Sequence, residues 1–313
     1  MSKPHIVSFE SYSEWDSVPM NERFEVHPMP DNGAADIPED IRNKVEAFAF
    51  KGHSAMDASI MDQFPNLRLI ANFGVGYDTI DVAHATSRGI KVTNTPDVLT
   101  DDVADLAVGM LIACSRDIIG ASNWVTSGNW ATAGAHSLQT KVSGKTVGIA
   151  GLGRIGRSIA ERMQAFKCDI SYYSRSEKDT PGWKHIDNVV DLASAVDFLV
   201  VSVSAGPETT KIISKEVLKA LGSDGMLINI SRGVTVDEEA LIEALQQRTI
   251  KSAALDVFYN EPTIDERFMQ LDNVLLQPHQ SSATTETRKQ MGQLQRDNLE
   301  AFFDGKPLLT PVV

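Results

Sequence analysis

The run Gly151-Leu152-Gly153-Arg154-Ile155-Gly156 carries the most specific chemistry in the chain. In a turn of this spacing the first glycine allows a tight bend. The second lets a pyrophosphate approach the backbone, and the third lets helix and strand pack closely. The run follows an apolar strand pattern, Thr146–Ala150, and opens a helical one, Ile155–Phe166. A second strand pattern, Asp169–Tyr173, ends about 20 residues further on, as a dinucleotide site requires. The helix start adds free N–H groups and a positive dipole end for phosphates.

The end of that second strand sets the choice of dinucleotide. An NAD site places Asp or Glu there for the ribose hydroxyls, but this chain reads Tyr173-Ser174-Arg175-Ser176. Asp169 begins the strand, at the wrong end of the sheet. Arg175 between two hydroxyls suits a 2′-phosphate through charge-assisted hydrogen bonds, with Lys178 assisting. The expected cofactor is therefore NADP, as NADPH, and no metal site is expected.

Three later strand ends carry charged or polar groups. Ser231-Arg232-Gly233 follows Met226–Ile230, Asp256 lies in Ala253–Phe258 with Asn260-Glu261-Pro262 after it, and Pro278-His279-Gln280-Ser281-Ser282 follows Val274–Gln277. In a doubly wound sheet the carboxyl ends of strands line the ligand crevice, so Arg232, Glu261 and His279 are expected to meet the nicotinamide. The alternative reading of Asp256, less favoured than a ligand contact, is a loop cap. His136 and the Trp124/Trp130 pair read as arm packing or pocket wall sooner than as catalytic groups.

The elements around these residues recur as short apolar strand, turn and amphipathic helix, the signature of parallel α/β sheets. Early strands are expected at His5–Phe9, Phe24–His27, Ala47–Phe50, Leu69–Phe73 and Ile90–Asn94. A buried helix should run from Asp101 to about Arg116, and an irregular arm from Trp124 to Gly144. Later strands include Phe198–Val203, and helices are expected at Val236–Gln247 and Thr284–Phe303. The reading is α/β, with two doubly wound parallel-sheet domains, Rossmann-like or flavodoxin-like, and a hinged cleft between them. Residues 1–97 with 285–313 would form the substrate domain and 98–284 the dinucleotide-binding domain.

Composition narrows the partners. Lys plus Arg is 29 against Asp plus Glu 42, a formal net charge of −13. That excess of acid argues against nucleic acid and anionic membrane, which need basic surface. Only two cysteines, Cys114 and Cys168, are present, without metal-ligand spacing, so a reducing compartment is expected. The opening Met1–Pro4 runs straight into a strand pattern with no apolar signal region. Apolar runs fall short of the roughly 20 residues that span a bilayer. A cytoplasmic location follows.

The sequence resembles the D-isomer-specific 2-hydroxyacid dehydrogenase family over nearly its whole length. The resemblance runs through Asn72-Phe73-Gly74-Val75-Gly76-Tyr77-Asp78-Thr79-Ile80-Asp81, Asn94-Thr95-Pro96-Asp97-Val98-Leu99-Thr100, the glycine run, the Arg232 and Glu261 segments and His279. Within the family it looks most like the NADPH-dependent glyoxylate/hydroxypyruvate reductases, with hydroxyphenylpyruvate reductases close by. The resemblance implies reduction of small 2-keto acids to D-2-hydroxy acids. His279 would be the general acid, Glu261 its orienting carboxylate, and Arg232 the grip on the substrate carboxylate. The N–H groups of Val75 and Gly76 would hold the same carboxylate. For the cofactor it implies Gly151, Leu152, Gly153, Arg154, Ile155, Gly156, Ser174, Arg175, Ser176, Val203, Ser204, Pro207, Ile230, Ser231, Arg232 and Asp256. It also implies a homodimer, with the Trp124–Gly144 arm at the interface. A cofactor-sensing protein on the same fold is the rival of a different class, weighed against by the intact Arg232, Glu261 and His279. The chain departs from the family at Gln280-Ser281-Ser282, where small residues are usual, which blurs substrate contacts there.

Overall fold

The computed structural model describes residues 3–52 and 54–313. Met1 and Ser2, the first residues of the opening read above, lie outside them. The chain divides into two compact units, one of residues up to Leu99 with Ala283–Val313, the other Thr100–Ser282. Strands β1 (His5–Ser8), β2 (Glu25–Pro28), β3 (Val45–Phe50), β4 (Leu69–Asn72) and β5 (Lys91–Thr93) belong to the first unit. They form a sheet in the order β2-β1-β3-β4-β5 with every pairing parallel. Strand side chains alternate between faces. Ile6, Ala47, Ala49, Leu69 and Ala71 pack on one side, and Val7, Phe48, Phe50 and Ile70 on the other.

The last helix, Thr285–Phe303, covers the first of these faces with Leu299. Gln295, 1% exposed, donates through Nε2 to Phe50 O at 3.1 Å and Ala71 O at 2.8 Å. Arg296 pairs with Asp16 of the helix Glu14–Arg23, and both are buried. A Cβ on Gly292 would lie 2.0 Å from Asp16 Oδ1, so only glycine admits the carboxylate there. The C-terminal segment is thus a core element of the first unit.

The second unit holds β6 (Thr146–Ala150), β7 (Asp169–Tyr173), β8 (Lys184–His185), β9 (Phe198–Val201), β10 (Met226–Asn229), β11 (Ser252–Leu255) and β12 (Val274–Leu276). Their order is β12-β11-β10-β9-β6-β7-β8, again all parallel. The chain winds outward from β6 through β7 and β8, then crosses to β9 and winds the other way. The strand order therefore reverses beside β6, where open α/β sheets bind their ligands. Strands β9, β10 and β11 are buried at every residue, which is why they read as unbroken apolar runs rather than alternating ones.

Two expectations change. The arm is not wholly irregular, because helices occupy Ile118–Thr126 and Asn129–Ala133. Gly128 (φ 79°) and Gly134 (φ 87°) end them, and such punctuation hid the short helical pattern. His136 Nε2 lies 2.9 Å from Asp117 Oδ2, and Trp124 Nε1 donates to Gly134 O at 2.9 Å, so both rings serve the arm's own packing. The edge strand β8 was also unforeseen. Its two residues are too short to show a period.

Candidate active site

The glycine turn leaves β6 with its first N–H donating to Tyr173 O at 2.9 Å. Gly151 has φ 105°, and a Cβ there would lie 2.6 Å from Val203 N. A Cβ on Gly156 would lie 2.1 Å from Gly151 O. The fold itself thus requires glycine at both positions. Gly153 differs, since a Cβ there would meet nothing within 4 Å. Open space above the N-terminus of the helix Arg154–Ala165 is what a pyrophosphate needs, so the cradle fits a dinucleotide. Leu152 is buried beneath it, Arg154 is exposed and Ile155 half-buried. Ser202, which the sequence reading passed over, donates through Oγ to Gly151 O at 2.7 Å and fixes the turn.

At the end of β7, Ser174 is half-buried and Arg175, Ser176 and Lys178 are exposed. Ser174 Oγ donates to Ser176 O at 2.6 Å, and Lys178 Nζ to Ser176 Oγ at 3.1 Å, which turns the lysine toward the same hydroxyl cluster. Beyond β9, Val203 O accepts from Ser231 Oγ and Ser204 O from Thr209 Oγ1 at 2.7 Å, closing the turn that carries Pro207. Ile230 and Ser231 are buried behind it.

Arg232, Glu261 and His279 follow β10, β11 and β12, three adjacent strands with their carboxyl ends on one edge. Neighbouring strands lie about 4.8 Å apart, so the three loops span roughly 10 Å of that edge. His279 Nδ1 lies 2.7 Å from Glu261 Oε2. A carboxylate only accepts, so Nδ1 carries a proton and donates it to Glu261. Glu261 Oε1 accepts from Phe258 N–H at 2.8 Å, which orients the carboxylate in turn. His279 sits at φ 50°, an uncommon conformation for a residue with a Cβ. Asp256 accounts for it. Fully buried, it accepts Gln280 N–H on Oδ1 at 2.8 Å and Ser281 N–H on Oδ2 at 2.9 Å. Both oxygens thus cap the His279 turn.

The Arg232 loop is equally determined. Its carbonyl accepts from Asn229 Nδ2 at 3.1 Å and Thr235 Oγ1 at 2.6 Å, and its Nη1 donates to Ser231 O at 2.8 Å. Gly233 lies so close to the Glu261 segment that a Cβ would fall 1.9 Å from Phe258 C. In the first unit, Asn72 Nδ2 donates to Gly74 O and Gly76 O at 3.1 and 2.8 Å, and Asn94 Nδ2 to Val75 O at 2.9 Å. The carbonyls of that loop are thereby tied down. A Cβ on Gly74 would make only ordinary contact, 3.7 Å from Asn72 Nδ2, so the fold's own packing does not demand the glycine.

Residues 108–281 match the family model of the D-isomer specific 2-hydroxyacid dehydrogenase, NAD binding domain. The chain belongs to the D-isomer-specific 2-hydroxyacid dehydrogenase family. This dehydrogenase is 48% identical over 275 residues, 88% of each chain, to a glyoxylate/hydroxypyruvate reductase A of Arabidopsis thaliana. It is 49% identical over 269 residues, 86% of each chain, to a hydroxyphenylpyruvate reductase of Plectranthus scutellarioides. Among solved structures it matches the NADPH-dependent glyoxylate/hydroxypyruvate reductase of Sinorhizobium meliloti in complex with NADP and malonate. That match has a TM-score of 0.95 and 43% identity, covering 100% of this chain and 97% of the other. The residues that sequence reasoning missed in the dehydrogenase are Asn229, Ser202 and Gly233. Asn229 alone left a trace, as a polar residue ending an apolar strand.

Among the described residues no helix is long and apolar enough to cross a membrane, and no cluster of His, Cys, Asp and Glu is suited to a metal.

Proposed function

We propose that the dehydrogenase reduces small 2-keto acids, glyoxylate and hydroxypyruvate first, to D-2-hydroxy acids with NADPH. The His279–Glu261 pair, set on the same sheet edge as Arg232 and the glycine turn, is the observation that carries this reading. The glycine turn and its helix would hold the pyrophosphate, and Ser174, Arg175 and Ser176 the 2′-phosphate. Val203, Ser204, Pro207, Ile230 and Ser231 would line the remainder. A dihydronicotinamide held there would supply the hydride for the keto carbon.

Arg232 grips the substrate carboxylate through its planar guanidinium and polarises the neighbouring carbonyl. The N–H groups of Val75 and Gly76 are the second set of carboxylate donors in this proposal. His279 delivers the proton from Nε2 to the carbonyl oxygen as negative charge builds there. Glu261 accepts the Nδ1 proton and stabilises the imidazolium that donates from Nε2, and once that proton has left it holds the neutral ring with Nε2 as the base for the reverse direction.

Steady-state loss of NADPH absorbance with a panel of 2-keto acids tests the reading. Highest kcat/KM is expected with glyoxylate or hydroxypyruvate, and no turnover on any member would refute it. Hydroxyphenylpyruvate belongs in the panel because one relative at 49% identity reduces it by name. A homodimer is part of the proposal, since Ile118, Ile119, Val125, Trp130 and Leu138 leave an exposed apolar face on the arm. Sedimentation as a monomer would exclude it. The free thiols of Cys114 and Cys168 support a cytoplasmic home.

A further inference from the structure

We propose that Tyr172 and His185 are positioning residues that hold Ser174–Lys178 in the shape that receives a ribose 2′-phosphate. The proposal rests on the NADPH reading above and adds what fixes its specificity. Tyr172 lies within β7 and is fully buried. A buried hydroxyl costs free energy unless bonded, and phenylalanine would fill the same space without that cost. The hydroxyl is bonded twice to the backbone of one residue. It accepts Lys178 N–H at 2.8 Å and donates to Lys178 O at 3.1 Å.

The other end of the loop is held by a second ring. His185 ends β8 and its Nε2 donates to Ser174 O at 3.0 Å, with Nδ1 3.5 Å from Asp187 Oδ1. The two rings pack on one another with centroids 5.2 Å apart. Both ends of Ser174–Lys178 are thus clipped by side chains of adjacent strands, and the Ser174 and Lys178 hydrogen bonds to Ser176 brace the middle. This gives β8 a use, since it carries His185 to the loop. A loop already in its binding shape loses less entropy when a ligand arrives. Releasing either clip should therefore weaken phosphate recognition, while a nucleotide lacking the 2′-phosphate relies on the glycine turn instead.

Titration calorimetry of the full-length protein with 2′,5′-ADP and with 5′-AMP tests this without turnover. Tyr172→Phe should weaken 2′,5′-ADP about tenfold and leave 5′-AMP within about twofold. His185→Phe, which keeps a ring against Tyr172, should act in the same direction, and it decides alone if Tyr172→Phe fails to fold. A purely structural role would weaken both nucleotides equally, and that result, or no change in either, overturns the proposal. Arg175→Ala separates the two readings. If it abolishes the preference for 2′,5′-ADP while both clip variants retain it, only the positioning role falls. If it leaves the preference intact, the NADPH reading falls with it.

Discussion

His279 is held in place by a chain of neighbouring groups. Glu261 sets its tautomer, Phe258 N–H sets Glu261, and Asp256 holds the left-handed turn beneath it. Removing the imidazole takes away the proposed proton donor and its contact with the carbonyl oxygen, and leaves the glycine turn and its nucleotide cradle untouched. His279→Ala should then lower kcat by about 10²–10⁴-fold, the usual contribution of general acid–base catalysis, while nucleotide affinity by titration stays unchanged. A variant with near-normal kcat would remove His279 from the mechanism. Gly233→Ala tests the packing of the Arg232 and Glu261 loops. The added methyl would fall 2.0 Å from Phe258 O and 2.3 Å from Tyr259 N, which are backbone atoms and cannot rotate away. The Glu261 segment must move, so activity should drop and thermal denaturation should show a loss of about 1–3 kcal/mol. An active variant as stable as the parent would mean that the contact relaxes freely. Arg232, Glu261 and His279 were legible because charged residues at strand ends stand out against apolar strands. Gly233 was not, because the close approach it permits joins loops far apart in sequence. The turn-capping role of Asp256 was hidden for a related reason, since a sequence shows a carboxylate but not the N–H groups it accepts.

Strands owe their places to contacts at both ends, and the amino end of the second sheet has its own lock. Asp197 precedes β9 and accepts Lys145 Nζ at 2.7 Å, Thr146 N–H at 2.9 Å and Thr146 Oγ at 2.8 Å. Burial opposes its ionisation, but the Lys145 ammonium and the two Thr146 donors outweigh it and hold the carboxyl below its ordinary value. A depressed carboxyl contributes stability above its unfolded pKa and loses it as pH falls through the folded one. Asp197→Asn should therefore cost about 1–3 kcal/mol at neutral pH. The gap to the parent should close as pH falls below the ordinary value of 3.8. A gap in denaturant unfolding that is the same at acid and neutral pH would show the charge to be idle. Such end locks also explain why element boundaries drifted in the sequence reading. Apolar pattern located β6 and β7 residue for residue, at Thr146–Ala150 and Asp169–Tyr173. It ran on past β9, β10 and β11, because Val203, Ile230 and Phe258 remain apolar after strand pairing has ended.

At the scale of the whole chain, a net charge of −13 is an awkward host for a polyanionic cofactor. The long-range field repels every nucleotide, and it repels NADPH more than NADH because of the additional phosphate. Screening confines that field to about 8–10 Å at physiological salt. Any preference for NADPH must therefore come from local donors, and Arg175 with its neighbouring hydroxyls is the set that can supply it. Ligand that binds only the folded state stabilises it by mass action, by about 2.7 kcal/mol at a hundred times its Kd. NADPH at that level should raise the melting transition of the unit formed by Thr100–Ser282, and NADH at the same concentration should raise it less. Added salt should narrow the difference, since an exposed guanidinium–phosphate pair is screened while the backbone cradle of the glycine turn is less affected. Equal shifts from the two nucleotides at low salt would mean that Arg175 takes no part in choosing between them, and the cofactor would then be set by the glycine turn alone.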